Sequence, residues 1–199
     1  MGRWASALVM VEFAGQMATL GQKRGLAQRL AETAWPAQDD TREPESPANA
    51  VADALLVTTL LAGAMSVLIW LFPRSMYPHG DFNLADRWLV LAVWTMAVGD
   101  IALAALAFRF DVATTVRARA VVEPWTLSIT AGIAWFLYPE GGLAIAYLAS
   151  VSAATAVALV ALVRAYGLPR RWQPRPLPLL KLAVRNMPLA GADAVEWGT

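Results

Sequence analysis

The sequence contains no cysteine, so disulfides, thiol catalysis and cysteine-ligated metals are all excluded. Histidine occurs once, as His79 in a polar stretch, and one imidazole without companions makes no metal site; none is expected. Charge is scarce as well. Asp, Glu, Lys and Arg make up 16% of the residues, against about a quarter in an ordinary soluble domain. The net charge of +1 rules out the basic field that a nucleic-acid partner requires. Missing too are a glycine-rich phosphate loop, paired metal ligands on one helix face and a nucleophile–base pattern, so neither an enzyme nor a cofactor is expected.

What the chain has in abundance is apolar length. Hydrophobic residues make up 58% of its 199 positions and fall into long runs. A helix needs roughly 20 apolar residues to cross the hydrocarbon core, and it satisfies every backbone N–H and C=O within itself. Five runs approach that length: Trp4–Leu20, Ala54–Phe72, Leu89–Phe108, Val121–Tyr138 and Leu143–Val163. The first carries Glu12 and Gln16, and basic residues follow it rather than a small-residue cleavage site, so it reads as a retained membrane helix and not a signal peptide. Barrel strands alternate over about ten residues, whereas these runs are continuously apolar and several are apolar all round. The expected fold is an all-α, polytopic membrane bundle of about five spans over residues 1–166, in direct contact with the lipid bilayer. A basic, proline-rich cytoplasmic tail over 167–199 leads into the start of a further span.

The connecting segments set the orientation. Lys23, Arg24, Arg29 and Arg42 separate the first two runs; Arg109, Arg117 and Arg119 separate the third and fourth; Arg164, Arg170, Arg171, Arg175, Lys181 and Arg185 follow the fifth. Only Arg3, Arg74 and Arg87 of the 16 cationic side chains fall on the other side. Positive segments stay cytoplasmic, so the N-terminus is placed outside and the tail inside. A chain that starts outside without a leader is expected to be an interior section of a longer parent. Gln22–Glu32 reads as a basic amphipathic helix on the cytoplasmic surface, Trp35–Asn49 as a linker by composition, and Arg170–Pro178 as an extended segment near anionic headgroups.

An ionised side chain at the bilayer centre costs about 2.5–3.5 kcal/mol on insertion scales, so intramembrane charges face the bundle interior or a wet cavity. Glu12 and Asp100 sit mid-span, and Glu123 lies in the first turn of the fourth run, ahead of Pro124. Arg119 and Glu123, spaced i,i+4, pair on one helix face. Glu12, Gln16, Asp100, Arg119 and Glu123 are therefore the candidates for lining a polar path, which would serve a charged or sugar-bearing substrate or bind a coupling proton or cation. The plainer reading of these acids is interhelical hydrogen bonding, and of Glu123 a favourable place in the helix dipole. Ala146, Ser150, Ala154 and Ala158 form a small-residue packing face. Trp4, Trp70, Trp88, Trp135 and Tyr138 lie toward span ends as interfacial anchors, while Trp94 and Trp125 are expected in the core rather than stacked on sugars.

Three segments carry a family resemblance. Val11-Glu-Phe-Ala-Gly-Gln-Met-Ala-Thr-Leu-Gly-Gln-Lys-Arg-Gly-Leu-Ala27 is similar to the second span and following loop of bacterial oligosaccharide flippases, of the multidrug/oligosaccharidyl-lipid/polysaccharide exporter superfamily. Arg117-Ala-Arg-Ala-Val-Val-Glu-Pro-Trp125 with the turn at 139–143 resembles the middle of the same lobe, and Asn186-Met-Pro-Leu-Ala-Gly191 the approach to the seventh span. The likeness is one of pattern and order along nearly the whole chain, without a diagnostic motif. It implies spans two to six of a two-lobed transporter of the bacterial inner membrane, which moves a lipid-linked glycan by alternating access. It also implies that Glu12, Asp100, Arg119 and Glu123 line the cavity. A cation-coupled small-molecule exporter and a non-transporting anchor protein are the alternatives.

Overall fold

The computed structural model describes residues 3–19, 21–34, 46–77, 84–139, 141–169 and 172. All regular structure among them is helical, as expected. His79, the linker at 35–45 and the tail from 173 onward lie outside the described residues.

Helix α1 (Arg3–Thr19) ends at a turn in which Gly21 adopts a φ of 65°, a left-handed value that glycine accepts without steric cost. Helix α2 (Gln22–Ala34) follows directly. Helix α3 (Pro47–Leu71) opens with proline at its first position, where a missing N–H costs nothing. It ends before Pro73, which begins a single 3-10 turn. Helices α4 (Leu84–Trp88) and α5 (Leu91–Phe108) are joined by a tight step at Leu89–Val90. Helices α6 (Val112–Val116) and α7 (Glu123–Leu137) are joined by a π-helical segment at Arg117–Val122. Helix α8 (Gly142–Tyr166) closes the bundle and stops at Gly167, where φ is 74°.

Four of these units are long and apolar enough to cross a membrane: Pro47–Leu71, Leu84–Phe108, Val112–Leu137 and Gly142–Tyr166. With 17 residues, α1 stands at the short limit for a fifth. The protein is membrane-embedded.

Two boundaries differ from those expected from sequence, each for a local reason. Pro47–Asn49 belong to α3 rather than to a linker, because Pro47 starts the helix. Arg117 and Arg119 lie inside a continuous helical unit rather than a loop, since Val112–Val122 is helical in spite of its arginines and threonines. The fourth span thus begins at Val112, and Glu123 sits about three turns in rather than in the first turn. The N-terminal acid of this unit is Asp111, whose carboxylate accepts from the Thr114 amide at 3.1 Å and its hydroxyl at 2.6 Å. The preceding helix ends in a Schellman arrangement: Asp111 N–H donates to Leu106 O and Phe110 N–H to Ala107 O, with Phe110 at φ 60°.

These Thr114 hydrogen bonds hold the Asp111 carboxyl below its ordinary value of 3.8. The unfolded chain therefore binds this proton more tightly, so the stability the cap confers is complete above that value and is lost as pH falls through the lower, folded one. Asp111→Asn keeps a capping side chain that does not titrate. It is expected to flatten the acid limb of stability below about pH 4, as read from thermal unfolding across a pH series.

Helix α5 is the hub, packed by α1, α2, α3 and α8, while α7 leans mainly on α8. At the end where the basic segments gather, Leu26 and Leu30 of α2 are fully buried against Ala50, Val51 and Ala54 of α3, Ile101 to Leu106 of α5, and Ala158 and Leu162 of α8. Helix α2 is thus no surface-lying amphipathic helix. Gln22, Leu26 and Leu30, four residues apart, all face the bundle and are buried, and each leucine contributes roughly 2 kcal/mol of burial. At the opposite end Ala7, Val11, Ile69, Met76, Tyr77, Leu89 and Val93 form a second cluster. Beside it Trp70 and Trp88 meet edge to face at 5.6 Å with the Arg87 guanidinium 5.9 Å from the Trp70 ring. Trp94 and Trp125 are exposed on the outer surface and not in the core, because each lies on the outward side of its helix.

Side-chain hydroxyls tie the helices through backbone carbonyls: Thr155 to Thr95 O at 2.8 Å, Tyr166 to Ala105 O at 2.7 Å and Ser66 to Val90 O at 3.2 Å. The small face of α8 is consumed in this packing. Ala146, Ser150, Ala154 and Ala158 are all buried, and a Cβ added at Gly99 of α5 would lie 2.5 Å from Thr155 Oγ1.

Candidate functional site

Four elements deliver charges to one place. Asp100 projects from α5 and is engaged by Lys23 Nζ at 2.7 Å and by the Arg119 guanidinium. Arg119 also pairs with Glu123 at 2.9 Å, the expected i,i+4 contact. Lys23 donates to Gln16 Oε1 at 3.0 Å, so the network runs from α1 through the start of α2 and across α5 to the helix that carries Arg119 and Glu123. Gln16, Asp100, Arg119 and Glu123, chosen from sequence, are thereby brought together. Lys23 joins them, although its place in the sequence marks it only as an orientation signal. Its signal lay in the spacing: Gly21 turns the chain just after α1, which returns Lys23 to the side of the bundle that carries Gln16.

Glu12 stands one turn from Gln16 on the same face of α1. It is half-buried, with no hydrogen bond or ion pair among the described residues. Tyr147 of α8 lies within electrostatic range of Glu12, Glu123 and Arg119, which places Glu12 on the same interior seam. The Tyr147 hydroxyl contacts Met96 Sδ at 3.6 Å, one turn from Asp100.

The π-helical segment has a definable cause. Pro124 lacks an N–H, and its ring crowds the carbonyl four residues back. The turn ahead of it widens, and the Glu123 N–H reaches Ala118 O, five residues back. This widening sets the direction in which Arg119 leaves the helix. Pro124→Ala is expected to let the segment tighten to an α-helix, visible as slower amide hydrogen exchange over residues 117–123 and a weakened Arg119–Asp100 contact.

The contacts form one electrostatically self-contained network. The set holds two cations and two anions and is neutral as a whole, so it avoids the cost of an isolated intramembrane charge. Each cation has a second acceptor: Glu123 for Arg119 and Gln16 for Lys23. Lys23 and Arg119 retain about a third of their side-chain exposure, against 13% for Asp100. The anionic hub is therefore the more shielded part and the cationic arms are partly wet. A second, smaller tie lies at the basic end. Asp53 of α3 accepts from Trp172 Nε1 at 2.8 Å and pairs with Arg29 of α2 at 3.4 Å, so Trp172 is tied to α3 beside α2.

Among the described residues no cluster of His, Asp and Glu could hold a metal ion. Comparison with protein-family models, with curated proteins and with solved structures finds no match to this chain.

Proposed function

We propose that this chain is a transport lobe of the bacterial inner membrane, with its N-terminus outside and its basic segments cytoplasmic. Its substrate is a lipid-linked oligosaccharide or polysaccharide precursor, moved by alternating access. The observation that carries this reading is the shared Asp100. Lys23 and Arg119 converge on it from different elements, and each has a second acceptor when it lets go. An anionic phosphate group of the substrate competes with Asp100 and Glu123 for the same two cations, so binding it and loosening the contact between α5 and its neighbours are one event. The saccharide and its lipid carrier come from the family resemblance.

The test is binding of a fluorescent polyprenyl-pyrophosphate-linked oligosaccharide by the full chain in mild detergent, a step that one lobe performs by itself. Wild type is expected to bind it, and Asp100→Asn, which removes a competitor for both cations, to bind it on the order of tenfold more tightly, the worth of one charge-assisted hydrogen bond. Equal retention by the wild type and by empty micelles would sink the proposal.

Glu12 supports a second reading, a cation-coupled small-molecule exporter. A half-buried carboxylate without an ion partner among the described residues is the group best placed to receive a coupling cation. Drug efflux that depends on a proton gradient and is lost in Glu12→Gln, with no glycan translocation, selects that reading.

A further inference from the structure

At the basic end a groove of about 610 Å³ opens between α8 and the α6–π segment. That volume lies within the range of small-molecule sites. Its mouth is formed by Asp111, Thr114, Arg117 and Arg164, and its floor by Val157 and Val160 of α8. Arg117 and Arg164 come from different helices, and neither makes an ion pair or hydrogen bond among the described residues. Among the described lining residues the one acid is Asp111, which accepts from Thr114 and offsets part of the Arg117 charge, leaving the mouth with a net positive charge. Arg109 adds a further cation beside the groove, fixed over the Tyr166 ring at 4.6 Å and bonded to the Ala165 carbonyl. The charge is therefore positive at the mouth, and the wall turns apolar within two turns of α8 toward the membrane interior.

We propose that this groove binds one anionic phospholipid, its phosphate held between Arg117 and Arg164 and its upper acyl chain laid along Val157 and Val160. A cationic mouth over an apolar floor at the end of two spans matches a lipid, which presents phosphate and hydrocarbon in that order. A soluble anion would leave the valines bare, and an acidic peptide would leave them facing polar backbone. The site is separate from the Asp100 network and does not depend on the transport reading.

The test uses the full chain purified in neutral detergent and titrated with phosphatidylglycerol, phosphatidylcholine or glycerol phosphate, bound lipid being counted by native mass spectrometry. Phosphatidylglycerol is expected to bind with a stoichiometry of one and phosphatidylcholine to be washed off. Affinity should fall roughly fivefold for Arg117→Gln or Arg164→Gln and about thirtyfold for the pair. Val160→Trp fills the floor without changing the charge, at a position half-exposed in the fold, and should also release the lipid. Far-ultraviolet circular dichroism of each variant keeps loss of binding distinct from loss of fold. Equal retention of phosphatidylcholine, undiminished retention in folded Arg117→Gln/Arg164→Gln, or glycerol phosphate binding as tightly as the lipid would each overturn the proposal.

Discussion

Asp100→Ala is expected to lower the stability of the bundle by about 2–3 kcal/mol. Removing one partner of a buried pair commonly costs 3–5 kcal/mol, and the partial exposure of Lys23 and Arg119 brings the figure down. The loss comes less from the missing attraction than from two cations left at the membrane interior with only Gln16 and Glu123 to hold them. Asp100→Leu combined with Lys23→Met should recover part of the loss, because the second change removes a charge that the first one orphaned. Thermal unfolding in mild detergent, followed by tryptophan fluorescence, measures both. A single-variant effect within about 0.5 kcal/mol, the range of unremarkable surface changes, would mean that Asp100 is not the hub.

The second large effect is steric. Gly99 stands beside Asp100 on α5, where α8 approaches so closely that a Cβ would meet Thr155 Oγ1 at 2.5 Å and Thr155 Cβ at 3.4 Å. Thr155 has little freedom to retreat, since its hydroxyl is committed to Thr95 O. Gly99→Ala should therefore cost about 1–3 kcal/mol, the usual penalty for overpacking, and Gly99→Val more. Thr155→Ala removes the nearest atom at the cost of one hydrogen bond. In the Gly99→Ala background it should be much less harmful than alone, a coupling that a double-mutant cycle resolves. Strict additivity would show that the two helices do not meet here.

Much of this architecture was legible in the sequence, because apolar runs of bilayer length permit few alternatives. Asp100 was legible as well: an acid in the middle of such a run needs a partner. So was the Arg119–Glu123 pair, a property of helical spacing alone. The helix starts were not. Val112–Val122 carries two arginines and two threonines among its apolar residues, too polar for hydropathy to separate from a loop, yet its backbone bonds continue without a break into α7. Burial of α2 was hidden for another reason. Two leucines at i,i+4 make a narrow stripe that serves equally for a membrane surface or a protein groove, and only the small residues Ala50 and Ala54 of α3 decide for the groove. Lys23 was overlooked because its role depends on the Gly21 turn, which brings residues of two helices to one seam.

The absence of cysteine permits the most direct test of the wet, two-sided seam that the transport account requires. A single cysteine at Glu12 in the full chain, reconstituted in sealed vesicles, can be labelled by a membrane-impermeant thiol reagent from either side without background. The account predicts labelling from both sides, with addition of the lipid-linked oligosaccharide raising the rate on one side and lowering it on the other. No labelling from either side, alongside normal labelling of a control cysteine at exposed Phe110, would show that the charges are dry structural contacts and contradict the account.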